Sequence, residues 1–159
     1  MLPSFVAPAY ASGSSWTFTL TGPNVALATA TIGGTPVVAG DTLRVTGAGT
    51  FDTTGSASGG GSFTHMTASG SLVAKGTWTA TGFVSFTSFG GPSPGFQGGI
   101  LLLTVSITDA NSGTTFSGLT MRIVCHVGTV PGGTPSEGTT ILGLFPSAVS
   151  GLTLFHHHN

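Results

Sequence analysis

Histidine is the residue of this chain with the widest chemical repertoire, and two of the five histidines lie within predicted strands. His65 follows Phe63 at the two-residue spacing of one strand face, and His126 is in phase with Arg122. Imidazole acts as an acid, a base, a hydrogen-bond partner or a metal ligand near neutral pH. If these side chains point into one interior, His65, His126 and Arg122 form a small polar ligand site, with Glu137 as a further candidate.

A metal site is the alternative use of these histidines. Such a site needs several converging ligands, and strand pairing would have to supply the convergence. The residues that it would use are His65, His126, His156 and His158. Isolated strand histidines and a His-rich tail over residues 156–159 are the favoured interpretation, so we expect no metal and no cofactor.

Groups for acid–base or nucleophilic catalysis are scarce. Asp41 follows a glycine and Asp109 precedes a turn, which is typical of turn-forming aspartates. No two carboxylates have a spacing that indicates a glycosidase pair. The segment Gly55–Gly59 is superficially similar to the Gly-x-Ser-x-Gly of a nucleophile elbow, but it lies in a glycine-rich turn that no helix follows. The sequence therefore favours a protein that is not an enzyme.

Cys125 is the single cysteine, so no disulfide within the chain is available. Its neighbours are aliphatic and it shares a strand face with Met121 and Ile123. Free cysteine packs as a small hydrophobic residue. We expect a buried, structural thiol.

Charge is almost absent: 4% of the 159 residues are Asp, Glu, Lys or Arg, and the net charge is −1. The three cations, Arg44, Lys75 and Arg122, are far apart in sequence, so the chain does not fit a nucleic-acid partner. No apolar run reaches the length of a membrane helix. Because ionic repulsion is what usually keeps proteins apart, we expect self-association into a homo-oligomer or filament.

Residues 1–14 are predicted to be the remnant of a leader or an extended arm. Ala9-Tyr10-Ala11 has the small-x-small form of a signal-peptidase site, although the stretch before it is short and has no basic residue. Low charge and abundant Ser and Thr also fit export. These features predict a secreted, extracellular protein with one domain over residues 15–155.

Alternating apolar residues dominate the rest of the chain. One such row begins at Trp16, a second at Leu72 and a third at Leu101, and each continues at every second position. Turn residues separate the rows, notably at Gly55–Gly61 and Gly90–Gly95. This pattern predicts an all-β fold: a single antiparallel meander that forms a closed or nearly closed β-barrel of 8–10 strands.

A glycine stands two residues before an aromatic at three places, on one strand face each time. The three are Gly49-Thr50-Phe51, Gly61-Ser62-Phe63 and Gly76-Thr77-Trp78. Glycine lets a strand bend, and a neighbouring aromatic covers it. Several bent strands in succession favour a barrel over a flat sandwich.

The glycine and aromatic positions also carry a family resemblance. The segments concerned are Ser58–His65, Gly76–Thr81, Val84–Phe86, Phe96–Gly99 and Val149–Phe155. Between Gly47 and Phe155 the chain resembles a family of small, uncharacterised bacterial all-β proteins. The resemblance implies architecture and brings no activity, so no functional residue is transferred from it.

Two functions follow as expectations. The first is a non-enzymatic extracellular barrel that associates with itself and binds an apolar or sugar-like ligand. The second is a small barrel enzyme or metal-binding protein with His65 and His126 in the mouth of the barrel.

Overall fold

The computed structural model describes residues 15–158. The predicted leader over residues 1–14, with its Ala9-Tyr10-Ala11 motif, lies outside this range, as does Asn159. The described part of the chain folds into eight antiparallel strands and has no helix. The strands are β1 (Ser15–Leu27), β2 (Thr42–Asp52), β3 (Ser56–Met66), β4 (Leu72–Ser93), β5 (Phe96–Asp109), β6 (Thr115–Cys125), β7 (Gly138–Ile141) and β8 (Ser147–His158).

The strands form one sheet that nearly closes on itself. Its order is β4-β3-β2-β1-β8-β5-β6-β7, and a further pairing of β4 with β5 completes a ring through six strands. The last strand, β8, returns to lie between β1 and β5, while β6 and β7 extend from β5. The predicted all-β meander and nearly closed barrel are confirmed, with eight strands.

Alternation decides which side chains enter the barrel. Trp16, Phe18 and Leu20 of β1 are each at most 5% exposed, whereas Thr19 between them faces solvent. The same alternation buries Leu101, Leu103 and Val105 of β5. Because successive side chains of a strand point to opposite faces, a row with period two gives a strand one apolar and one polar side.

In the structure, aromatic rings pack against glycines of the neighbouring strand. Phe18 of β1 lies directly opposite Gly49 of β2, and a methyl group on Gly49 would lie 2.6 Å from Cζ of the Phe18 ring. Phe63 of β3 and Gly76 of β4 are paired in the same way, and a methyl group on Gly76 would lie 3.0 Å from Cε1 of the ring. Each aromatic therefore fills the space that its glycine partner leaves.

The barrel interior differs between its two ends. At the end where β2 finishes, aromatic rings pack on one another, and we call this the aromatic end. Its members are Trp16, Phe18, Phe51, Phe83, Phe86 and Phe155. At the opposite end, where β2 begins, the interior holds a cavity, and we call this the cavity end.

Two predicted turn segments are strand in the structure. The loop expected at Gly90–Gly95 is reduced to a turn at residues 94 and 95, because β4 runs on to Ser93 and pairs there with Phe96 of β5. The turn expected over Gly55–Gly61 ends at Gly55, and β3 starts at Ser56. In both segments strand pairing continues through a glycine with positive φ, Gly90 (φ 72°) at a register shift of β4 and Gly59 (φ 130°) in β3, so glycine permits the strand instead of ending it.

The terminal histidines belong to β8. His156, His157 and His158 pair with Thr17, Trp16 and Ser15 of β1. Over residues 15–158, no helix is long and apolar enough to cross a membrane.

Candidate ligand-binding site

The cavity of about 170 Å³ lies among the strand ends and loops of the cavity end and is partly open to solvent. Its walls come from β2 to β6 and from the loops before β2, after β5 and after β7. Apolar side chains make up most of its surface, among them Leu43, Phe63, Ile107, Leu119 and Phe145. Its polar lining residues are Thr35, His65, Asp109, Ser112 and Thr114.

A buried histidine–aspartate pair stands in this apolar wall. His65 Nε2 lies 2.7 Å from Oδ2 of Asp41, and each residue is only 3% exposed. The loop–strand junction positions Asp41, one residue before β2, while the register that pairs His65 with Leu43 brings the ring alongside. Buried polar groups need hydrogen-bond partners, and here the His65 ring and the Asp41 carboxylate are partners of each other.

Asp41 also closes the turn that precedes β2. The backbone N–H of Val38 donates to Oδ2 of Asp41 at 3.0 Å, and the N–H of Asp41 donates to the Val38 carbonyl at 3.0 Å. The turn-forming role expected for Asp41 is therefore confirmed. The carboxylate does more than the turn requires, because the same oxygen holds the His65 ring.

The His65 ring is fixed by a second contact as well. The Phe145 ring meets it edge-on, with ring centroids 5.1 Å apart and an interplanar angle of 83°. Nδ1, the ring nitrogen that Asp41 does not contact, has no hydrogen-bond partner among residues 15–158. The ring therefore presents an unused polar atom in a wall that is otherwise mostly apolar.

The cavity has a negative rather than a positive electrostatic character. Asp109 is part of its lining, Asp41 stands behind His65, and neither lysine nor arginine contributes to the lining. Asp109 is held by the turn after β5, where its Oδ1 accepts a hydrogen bond from the N–H of Asn111 at 2.8 Å. A carboxylate ligand would find no cationic partner in this lining.

His126 stands directly after β6 and is exposed. Its Nε2 lies 2.6 Å from the Pro135 carbonyl, and its backbone N–H donates to Glu137 Oε1 at 2.6 Å. These contacts fasten the long loop between β6 and β7. No hydrogen bond, ion pair or ring contact in the described chain joins His126 to His65.

Arg122 lies in β6 opposite Thr140 of β7. Its Nη2 donates to the Pro146 carbonyl at 3.4 Å, while its Nε is buried without a partner within the described residues. Desolvation by burial lowers the pKa of the guanidinium from its usual value. The structure gives Arg122 no contact with either His65 or His126, so their shared site remains a prediction without a supporting contact.

The metal alternative has little geometric support. The rings of His156 and His158 touch, with centroids 4.4 Å apart, and His157 stacks on Trp16 at the same centroid distance. Among the described residues, however, no cluster of three or more His, Cys, Asp or Glu side chains could hold a metal ion. His65 faces Asp41 and Phe145 and contacts none of the β8 histidines.

Cys125 ends β6 inside the core and is 1% exposed, so the predicted burial of its thiol is confirmed. Desolvation, with a smaller contribution from the Glu137 carboxylate, raises its pKa. The neutral thiol is therefore the stable form in the folded protein.

The partnership of Asp41 with His65 is what sequence reasoning missed. The usable signal was the phase of His65: it shares the inward face with Phe63, and an inward histidine requires a polar partner. The chain has few carboxylates, and Asp41, at the start of the neighbouring strand, was the one that the sequence could have indicated as the partner of His65. Phe145 gave no signal, because it lies in a loop far along the chain.

No protein-family model, no curated protein and no solved structure matches this chain. The resemblance to small bacterial all-β proteins thus stays a prediction, and the cavity is the feature of the fold that bears on function.

Proposed function

We propose that this protein binds a small, largely apolar molecule in the cavity and does not change it chemically. The observation that carries the proposal is the combination of an apolar cavity of about 170 Å³ with one buried, oriented histidine in its wall. Ligand sites in proteins are typically apolar concavities with a few polar groups that fix orientation.

The size of the cavity sets the size of the ligand. An engineered apolar cavity of about 150 Å³ stays free of water and binds benzene. The present cavity is of the same order, and small β-barrels hold one small ligand in this way. A single ring or a short branched chain fits, whereas an extended oligosaccharide does not. The apolar alternative is thereby favoured over the sugar-like ligand.

Toluene titration by calorimetry tests the proposal, with a cavity-filling variant as the reference. Ala74 lines the cavity, so Ala74→Leu should remove the toluene binding that the wild type shows. Ala48→Leu is the matched control, because Ala48 is exposed on β2 and should leave binding intact. Equal toluene binding by the two variants, or none by the wild type, would refute the cavity as the site.

Acid–base catalysis is a second candidate, and the same pair favours it. A histidine held by a buried aspartate is a common general base. In the described chain no hydroxyl contacts the His65 ring: the Thr35 side chain donates instead to the Ile32 carbonyl, and the Ser112 side chain accepts from the Thr114 N–H. Recovery of an unaltered ligand after prolonged incubation supports binding alone, whereas a His65-dependent product would favour catalysis.

Self-association is a further proposal, supported by one edge of β4. Pairing of β4 with β3 stops at Thr79, and beyond it β4 pairs with β5 alone among the described strands. No charged residue occurs between Lys75 and Asp109, although charged side chains are what commonly block edge pairing. A second copy could extend the sheet at this edge.

Sedimentation velocity tests the β4 edge. Ser85→Lys places a charge on the free edge and should reduce the fraction of oligomer, since lysine disfavours strand addition. Thr79→Lys, on the stretch of β4 that is paired on both sides, is the control and should not. A wild-type protein that is monomeric at every concentration measured would refute self-association.

A further inference from the structure

We propose that the ligand is an uncharged hydroxyl compound about the size of one aromatic ring, which donates its hydrogen bond to Nδ1 of His65. This inference rests on the proposed binding function and adds the polarity of the ligand to it. It follows from the direction in which the buried pair orients its protons.

Asp41 determines which ring nitrogen of His65 carries the hydrogen. Oδ2 already accepts the N–H of Val38 at 3.0 Å, and it faces Nε2 at 2.7 Å. A carboxylate oxygen only accepts, so Nε2 carries the hydrogen and donates it. In the neutral ring, Nδ1 then has a lone pair and no hydrogen.

Nδ1 is the ring atom left for a ligand. It has no partner among residues 15–158, and it is not one of the polar atoms that are fully enclosed without a partner. Because His65 lines the cavity, a ligand there can satisfy this acceptor. A bare acceptor in an apolar wall selects a ligand that donates, since an unmade hydrogen bond in such a place costs free energy.

The charges and the apolar lining of the cavity disfavour a ligand that is itself charged. Asp109 in the lining and Asp41 behind the ring both repel an anion, and no lysine or arginine lies in the lining. An organic carboxylate would bring a third negative charge into an apolar space. An ammonium group would have to be desolvated among apolar side chains, so the neutral hydroxyl is the favoured donor.

Four para-substituted toluenes separate these possibilities by calorimetry. They are 4-methylphenol, which donates and accepts; 4-methylanisole, which only accepts; p-xylene, which does neither; and 4-methylbenzoate, which is anionic. Because one net hydrogen bond contributes about 0.5–1.5 kcal/mol, 4-methylphenol should bind roughly 2- to 10-fold more tightly than p-xylene. The anisole should gain nothing over p-xylene, and the benzoate should bind most weakly.

A variant series assigns the preference to His65. His65→Phe should bind 4-methylphenol more weakly than p-xylene, because the hydroxyl would then be buried in an apolar wall without an acceptor. His126→Phe is the matched control at an exposed histidine and should keep the wild-type preference. If His65→Phe does not fold, the nitrogen NMR signals of wild-type His65 replace it: Nδ1 should be unprotonated and should shift when 4-methylphenol is added.

The outcomes for the two proposals are distinct. If all four probes fail to bind, the proposed function itself is wrong. If p-xylene binds as tightly as 4-methylphenol, the cavity binds ligands but the inferred hydroxyl class is wrong. Tighter binding of the anisole or the benzoate, or a protonated Nδ1, overturns the inference in the same way.

Discussion

The two ends of the barrel both take side chains from β2 and β4, yet they differ in how their interiors are filled. At the aromatic end, Phe51 alone contacts five other rings at centroid distances of 4.9 to 6.4 Å. At the cavity end, the ring of Phe145 turns its edge to His65, and about 170 Å³ stays open. Large rings fill the interior of one end, where an open, mostly polar depression lies beside Phe51, and incomplete filling leaves an apolar cavity at the other.

This contrast places most of the aromatic packing at one end of the barrel and the proposed ligand site at the other. Offset and edge-on aromatic pairs each contribute about 0.5–1.5 kcal/mol beyond their buried area. A cavity forgoes such contacts and thereby costs stability. The aromatic end offsets that cost, so a buried polar pair is tolerated where the ligand would bind.

The contrast predicts its largest effect for phenylalanine truncation. Phe51→Ala should lower the free energy of unfolding by about 3–5 kcal/mol, because it opens a void among packed rings. Phe145→Ala, beside a space that already exists, should cost at least about 1 kcal/mol less. Urea denaturation of both variants measures the difference, and equal losses would show that the two ends are equally packed.

Loss of the buried carboxylate is the next largest effect. Asp41→Ala leaves the Val38 N–H and the Nε2–H of His65 without their acceptor, which should cost about 2–3 kcal/mol. Asp109→Ala removes only an exposed turn contact to Asn111 and should cost less than about 1 kcal/mol. If denaturant melts rank the two variants the other way round, the His65–Asp41 pair does not stabilise the cavity end.

Two glycine substitutions test whether close packing at the aromatic end requires glycine. A side chain on Gly49 would overlap both the backbone carbonyl oxygen of Ser58 and the Phe18 ring, so Gly49→Ala should destabilise by about 2 kcal/mol. Gly33 has nothing within 4 Å of an added methyl group, and Gly33→Ala should change stability by less than about 1 kcal/mol. Thermal unfolding distinguishes the two variants; a Gly49 variant as stable as the wild type would mean that the β3 backbone at Ser58 and the Phe18 ring can both move aside.

Cys125 should give the smallest effect. Cys125→Ala should cost about 1 kcal/mol, the effect of a small cavity, and a thiol reagent should label the native protein only slowly. Because the folded state raises the thiol pKa above its ordinary value of 9.0, the unfolded state releases this proton first.

The sign of the pH effect follows from that order. The contribution of the thiol is complete below about pH 9 and is lost as pH rises through the folded-state pKa. Wild type should therefore lose stability above pH 9 faster than Cys125→Ala does. Parallel losses in the two proteins, or rapid labelling of the native thiol, would contradict the burial.

Sequence alone predicted the barrel because its signal is local. The alternation through Trp16 and Leu101 and the Gly-x-aromatic motifs each involve only a few neighbouring residues, although the glycine–aromatic contacts themselves, such as Phe18 with Gly49, join two strands. The His65–Asp41 contact joins residues 24 apart, and it depends on a strand register that no short pattern contains. The cavity itself is a result of packing across β2 to β6, so composition and periodicity could not indicate it.

We expect the cavity end to bind a ligand while the aromatic end excludes it. Nuclear Overhauser contacts between the wild-type protein and excess p-xylene test it most directly. The predicted result is a set of contacts from p-xylene to Leu119, Ile107 and Phe145, with none to Trp16 or Phe155. Contacts confined to the aromatic end, or no contacts with the barrel interior at all, would contradict the account.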